Sequence, residues 1–484
     1  MVLTVLLTNA ACATPAPELI GNPTEQLLTQ LIGYFRGSAP DPTKASGTHD
    51  VFHKIVEVRA PQLGATVLYH QIALDDFETK QPFIQKFYVL GKGGSSADTV
   101  TITPYSAMPR SLPGNIEARP LDLRRLSVAS LQSFPRNCAL VWRHDRARST
   151  WVATPASARC RYRSEALKTD IVPQLRYELT KDALTMHEVL RDGRGKALFG
   201  DSGPLIARRE PLTTAGIIVA LSRLSEWRRI DPARLLRMEL QSGAKIEIEL
   251  APDLAPLATA NILRLVREKY FDGLSINRVQ DNFVAQWGDP DSQRSLGSAA
   301  RTLPAEFTRA WSDSLAVTPL RDADGFAPDT GFMAGMPVAG DRRAGRLWGA
   351  HCYASVGVGR DNDETSGNGS ELYVVIGHAP RQLDRNITVV GRVVRGVESL
   401  SSLRRGTAAL GFYETPSERI GIVSIRVSAD LPSDEQQTLE ALRTDSASFT
   451  ALVEARRNRR DEWYKVPAGH IDLCSLPLPV RQAP

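Results

Sequence analysis

Long apolar runs are missing from this chain of 484 residues. No stretch approaches the roughly 18 consecutive apolar residues of a membrane-spanning helix, so no helical span is expected. Charge of one sign is missing too: 59 Lys and Arg against 54 Asp and Glu give a net +5, spread along the chain. That balance argues against a nucleic-acid partner and reads as ordinary solubility. Histidine is scarce, with eight residues and no pair at metal-binding spacing, so neither metal nor cofactor is expected. An apolar share of 42% and a charged share of 23% place the chain among globular proteins. Its length suggests two or three domains.

The first residues, MVLTVLLTNAACATPAPEL, hold a short apolar run followed by small residues. This is the pattern of a secretory signal without its basic start, so residues 1–19 are read as signal-like and a periplasmic location is expected. Cleavage after an alanine near Ala13 would release a soluble protein, whereas acylation of Cys12 would anchor it to a membrane. Asn9 stands where a lipoprotein signal normally carries leucine, which weakens the second option. Of the five cysteines, Cys138, Cys160, Cys352 and Cys474 remain, an even number that permits disulfides in an exported chain. Three connectivities are open; Cys138 with Cys160 and Cys352 with Cys474 is preferred, because each pair then lies within or beside one domain. Free buried thiols are the alternative.

Residues 20–36 carry Leu27, Leu28, Leu31, Ile32 and Phe35 at helical spacing behind an Asn or Thr cap, which predicts one opening helix. Segments with two-residue alternation follow, among them HDVFHKIVEVRA, ATVLYHQIAL and PFIQKFYVLGKG, separated by Gly, Pro and Asp clusters. Many short strands at regular spacing predict a barrel or sandwich over residues 20–210. The run LIGYFRGS, LYHQIA, PFIQKFYVL, NCALVW, ARCRYRSEA and LRDGRGKALFGDSGPLIARR resembles the CpcT/CpeT-type phycobilin lyases, whose fold is a lipocalin-like antiparallel barrel. That resemblance implies the barrel, and a tetrapyrrole, lipid or other small molecule inside it as one functional reading. His53 and His70 are read as ordinary polar residues on barrel strands. Residues 211–232 look like a connector with one helical stretch. Within 233–430, LLRMELQSGAKIEIELAP predicts a hairpin around Ser242-Gly243, and APLATANILRLVREKYFDG a helix with Ala258, Ile262, Leu265 and Val266 on one face. Residues 431–484 read as a helical extension with a basic end.

Two motifs mislead. FGDSGPL around Ser202 and GAHCYA around His351 resemble the nucleophile and histidine segments of serine proteases, but in the reverse order along the chain and across a domain boundary. Ser202 is therefore read as a turn residue. DNDETSGNGSE alternates acids as a calcium loop would, yet Ser366 and Leu372 stand where an EF-hand loop needs Gly and Glu, so a solvated loop is expected.

One stretch carries chemistry without a nucleophile. AKIEIELAPDLAPLATANILRLVREKYFDG, INRVQDNFVAQWGDP, PAEF, GVGRDND, GSELYVVIG and LDRNITVVGRVVRGVESLSSL resemble, in this order, the cyclophilins, a family of peptidyl-prolyl cis-trans isomerases. The resemblance implies an eight-stranded barrel capped by helices, so that the chain as a whole is mainly β, and a groove that binds proline-containing polypeptides. Prolyl isomerisation breaks no covalent bond; its barrier of roughly 18 to 20 kcal/mol is amide resonance. A guanidinium donating to the prolyl nitrogen localises that lone pair, and Arg278 stands at the family's catalytic arginine. The resemblance further implies Phe283 and Val284 as the floor under the proline ring and Gln286 as the holder of a substrate carbonyl. Tyr373 stands as a second aromatic and Leu383 as a pocket residue, with Arg360, Glu371 and Ile387 completing the binding set.

Departures from the family are Asn277 and Ile387 for histidines, Glu371 for a glutamine and Gln382 for a tryptophan. Glu371 is expected to pair with Arg278, and the insertion between Phe307 and His351 to rim the groove. The leading expectation is an exported isomerase that assists folding; a non-catalytic module holding proline-containing chains is the alternative from another class.

Overall fold

In the computed structural model the described residues are 22–484, apart from 41–47, 75–81, 83, 92–97, 109–110, 114–115, 117–119, 166, 201–202, 212–213, 460–462 and 484. The signal-like segment with Cys12 and the Ser202 turn lie outside them. Two units divide the chain, Met1–Pro211 and Leu212–Pro484.

The first unit opens with the helix Pro23–Leu31, where the Asn22 side chain accepts from the Thr24 N–H at 3.0 Å and proline sits in the first turn. The helix ends earlier than its apolar spacing predicts. Gly33 lies so close to the Arg209 guanidinium that a Cβ would meet it at 2.3 Å, and from Gly33 the chain is already the first strand, Gly33–Pro40. Phe35 is thus buried from a strand rather than a helix. Ten antiparallel strands then close into a barrel, the last pairing back onto the first through Phe35 with Arg209. Cys138 and Cys160 are joined by a disulfide at its side.

Alternation sends every second side chain inward, and in the strands Thr48–Val58 and Val67–Leu74 this puts His53 and His70 inside. They are more than ordinary polar residues. His53 Nδ1 and His70 Nε2 share a proton at 3.0 Å, and His70 Nδ1 meets the Tyr88 hydroxyl at 3.1 Å. Lys86, bonded to Glu188 at 3.3 Å, also lies in the interior. His70 and Tyr88, with Ile55, Ile102, Trp142 and Met186, line a cavity of about 20 Å³, room for about one water.

The second unit is built around eight strands closed into a barrel, in the order Leu235–Leu240, Lys245–Leu250, Val389–Arg395, Ser355–Val358, Glu371–Val375, Val284–Gly288, Ser275–Val279 and Ile420–Val427. The predicted hairpin turns at Gly243, whose φ of 82° is glycine's territory. The helix Pro256–Arg267 buries Ala258, Ile262, Leu265 and Val266 against the barrel. Ala255 offers no cap, so the first free N–H groups, of Leu257 and Ala258, are taken by the Glu306 carboxylate at 3.0 and 2.8 Å.

Connector and tail are parts of this unit. The connector strand Trp227–Arg229 pairs with Leu439–Leu442, which pairs with Val480–Gln482, and the helices Ala215–Leu221 and Ala447–Arg457 pack together. The extension is therefore less helical than its pattern predicts: burial of Leu439, Ala441 and Leu442 in this sheet overrides local propensity. The insertion forms a five-stranded sheet within Arg309–Gly349. Its Phe332 and Trp348 share a core with Phe449 and Leu473 of the tail, and a disulfide joins Cys352 to Cys474.

Burial holds His53 and His70 neutral, with His53 lowered from its usual 6.5 to about 4 although Glu188 opposes this, and His70 well below its usual value. A group depressed in the folded state contributes stability that is complete above its unfolded value and is lost as pH falls through the folded one. Hydrogen-exchange protection of the strands holding His53 and His70 is therefore expected to weaken between about pH 6.5 and 4. A His53→Gln, His70→Gln double variant should show a much smaller pH-dependent loss; an unchanged loss would assign it elsewhere.

Candidate functional site

Arg278 owes its direction to an irregularity in the strand Ser275–Val279. Its register against Val284–Gly288 shifts between Ile276 and Arg278, so that Arg278 stands opposite Gln286 and Asn277 is the extra residue. Such a bulge re-aims the side chains around it. Asn277 turns inward, buried and without a partner for either polar side-chain atom, and Arg278 lies half-buried along the groove. The turn that follows is pinned by Asn282, whose φ is 51° and whose Oδ1 accepts from the His378 N–H at 2.7 Å.

Three neutral oxygens hold the guanidinium. Its Nε donates to the Leu410 carbonyl at 2.7 Å, Nη1 to Gln286 Oε1 at 3.1 Å, and Nη2 to Gln280 Oε1. The rings of Phe283 and Phe412 lie 5.6 and 5.3 Å from its central carbon. Burial draws its pKa down from the usual arginine value, and a guanidinium so placed remains charged. A guanidinium has five N–H groups; with three engaged, two are left for a substrate.

The groove beside it has a volume of about 610 Å³ and brings together Arg278, Phe283, Val284, Gln286, Arg360, Glu371, Tyr373, Leu383 and Ile387. Arg360 is steered by carbonyls, donating to those of Asn386 at 3.0 Å and Asp361 at 2.6 Å while its guanidinium lies over Phe307. Gln382 is exposed and does not line the groove. Two expectations are corrected here. Glu371 does not pair with Arg278: Gln286 lies between them, and its Nε2 donates to Glu371 Oε2 at 2.6 Å. Nor does the insertion rim the groove: no lining residue falls within 308–350, because its apolar side chains are spent on the core shared with the tail and on a second one around Val338 and Leu347.

Sequence reasoning missed Gln280, Leu410, Phe412 and His351. The loop carrying Leu410 and Phe412 has no periodicity to betray it; the only signal was its glycines. Gly411, at φ 80°, sits where a Cβ would meet the Gln280 backbone at 2.6 Å. His351 belongs to the protease-like motif, yet its Nε2 meets the Tyr373 hydroxyl at 2.8 Å and its Nδ1 meets Asp384 at 2.9 Å. Asp384 in turn accepts from Arg381 Nε at 2.6 Å, and Arg381 reaches Asp324 at 2.9 Å. With Asp384 ionised, the imidazole donates from Nδ1 and accepts the tyrosine proton at Nε2. Tyr373 is thereby fixed flat across Gly357, where a Cβ would meet its hydroxyl at 2.3 Å.

Residues 235–427 match the family model described as cyclophilin type peptidyl-prolyl cis-trans isomerase. Peptidyl-prolyl cis-trans isomerase B of Bacillus subtilis is 47% identical over 168 residues, covering 34% of this chain and 88% of its own. A probable peptidyl-prolyl cis-trans isomerase of Brucella suis is 27% identical over 212 residues, 41% of this chain and 85% of its own. Among solved structures, the cyclophilin AquaCyp293 of Hirschia baltica is 29% identical, over 53% of this chain and 92% of its own, with a TM-score of 0.43.

Burial raises the Glu371 pKa above the usual 4.5; the bond from Gln286 opposes this, and Asp361 and Asp289 add to it. A carboxyl raised in the folded state stabilises while protonated and loses that contribution as pH rises through the folded value. Glu371→Gln is therefore expected to melt above the parent chain at neutral pH, with the gain vanishing below about pH 4. Thermal melts across that range check it; a gain that is the same at every pH would show that the charge of Glu371 is not the cause.

Proposed function

The chain belongs, through residues 235–427, to the cyclophilin-type peptidyl-prolyl cis-trans isomerases, and on that premise we propose that it speeds rotation about X–Pro bonds of exported polypeptides as they fold. The observation that carries this reading is the state of Arg278: charged, uncancelled by any ion pair among the described residues, and holding two free donors at an apolar floor. A proline ring laid on Phe283 and Val284 brings its nitrogen to that guanidinium. As the amide twists, the nitrogen lone pair localises and accepts an N–H, a bond that strengthens only toward the transition state. The low-polarity wall of Tyr373, Leu383 and Ile387 limits competition from water.

Export is supported by the disulfides Cys138–Cys160 and Cys352–Cys474, since such bonds persist in oxidising compartments. A periplasmic location, and an anchor through Cys12 if that residue is acylated, rest on the signal-like residues 1–19. For the N-terminal barrel, the tetrapyrrole or lipid suggested by its lyase resemblance meets, among the described residues, an inner cavity of about 20 Å³. That volume favours a scaffold over a carrier of so large a ligand.

Arg278→Ala is expected to lower kcat/KM for an X–Pro peptide by about 10² to 10³, the scale of losing one preorganised transition-state donor. Exchange NMR on a proline peptide measures it. Wild-type binding without acceleration would instead establish the non-catalytic proline-binding module.

A further inference from the structure

Glu371 is a lining residue whose half-buried carboxylate forms no ion pair among the described residues. Its stem is confined: a Cβ on Gly288 would meet its Cγ at 2.7 Å, and one on Gly359 its Cβ at 3.0 Å. Its carboxylate accepts from Gln286 and forms no ion pair among the described residues. The charged groups acting on it are Asp361 and Asp289, both of its own sign. Three of the four arginines lining the groove are occupied otherwise, and the fourth, Arg301, is exposed and forms no ion pair with Glu371. Arg278 is bound to three neutral oxygens, Arg360 to the carbonyls of Asn386 and Asp361, and Arg294 Nη1 to those of Tyr270 and Asp272 at 2.5 and 2.7 Å.

The missing partner is therefore a cation that the substrate brings. Gln286 links the two ends of the arrangement, one amide reaching Arg278 through its oxygen and Glu371 through its nitrogen. A peptide with its proline nitrogen at Arg278 passes Glu371 within the reach of a neighbouring side chain. We propose that Glu371 selects X–Pro substrates carrying a lysine or arginine within two residues of the proline. This rests on the isomerase reading and sharpens its substrate class. A charge-assisted bond to a confined carboxylate is stronger than a neutral one, while partial exposure keeps the preference near tenfold rather than thousands.

The test uses the full chain and short peptides with one X–Pro bond, in which Lys, Gln or Glu is placed singly at each of the two positions before and the two positions after the proline, with Ala at the others. Exchange NMR gives kcat/KM for each. At one position the Lys peptide is expected to be about tenfold better than the Glu peptide, and raising salt from about 0.05 to 0.5 M should shrink that ratio. Glu371→Gln should bring the ratio below about twofold, and Glu371→Lys should invert it, each scaled to that variant's own rate on the Gln peptide. A ratio near one at all four positions in the wild type, or a preference that survives Glu371→Gln, overturns the assignment while the isomerase reading stands. Failure to accelerate any peptide removes both.

Discussion

A positive charge that must stay uncancelled organises the second unit's groove. A carboxylate against Arg278 would hold the guanidinium firmly but consume its donors and its field. Neutral oxygens hold it without either loss, at the cost that they must arrive from three separate pieces of chain: the strand of Gln286, the turn of Gln280 and the loop of Leu410. Each piece needs a backbone device to reach its place. Asn277 makes the bulge, Asn282 takes a φ of 51°, and Leu410 and Gly411 take 57° and 80°. Strain of this kind persists where the surroundings over-determine it, and here it converges on one side chain.

That convergence explains what could be read from sequence. Strand alternation depends on residues two apart, so the barrel strands from Leu235 to Leu250 and the helical face of Ala258, Ile262, Leu265 and Val266 were legible. Arg278, Phe283 and Gln286 were legible because their spacing within one hairpin is itself the motif. Gln280 is nearly as close in sequence, but nothing about a glutamine two residues after an arginine says that they bond. Leu410 contributes only a backbone carbonyl, which any residue has. His351 lies on a segment whose letters suggested another chemistry, and its partner Asp384 is 33 residues away. Contacts made by backbone atoms, or across a long separation, leave no local pattern.

Buried charges on the barrel show the same limit from the other direction. Lys245–Leu250 alternates as a strand with one wet face, yet Glu247 and Glu249 are buried. The connector and tail cover that face, bringing Arg228 to Glu249 at 2.6 Å, while Arg237 meets Glu247 at 2.8 Å and Arg392 meets Glu249 at 3.1 Å. Buried pairs of this kind add little net stability against an apolar alternative but are costly to break. They therefore work as a lock on where the flanking sheet sits. The Cys352–Cys474 bond, spanning 122 residues, acts on the same assembly by restricting the unfolded chain.

Glu371 obeys the opposite rule. An ionised carboxyl in a partly dry groove, facing two further carboxylates, costs the fold something that a glutamine would not. Removing water strengthens the field of Glu371 and of Arg278 alike, so the two cannot both be left bare without a separator. Gln286 supplies it, one amide whose oxygen faces the cation and whose nitrogen faces the anion. The dipole of that amide is aligned with both charges, so each stabilises the orientation the other requires. Swapping the amide's ends would set oxygen against carboxylate and nitrogen against guanidinium. The glutamate thus fixes which face of Gln286 the substrate meets, and the charge that burdens the fold keeps Arg278 directed.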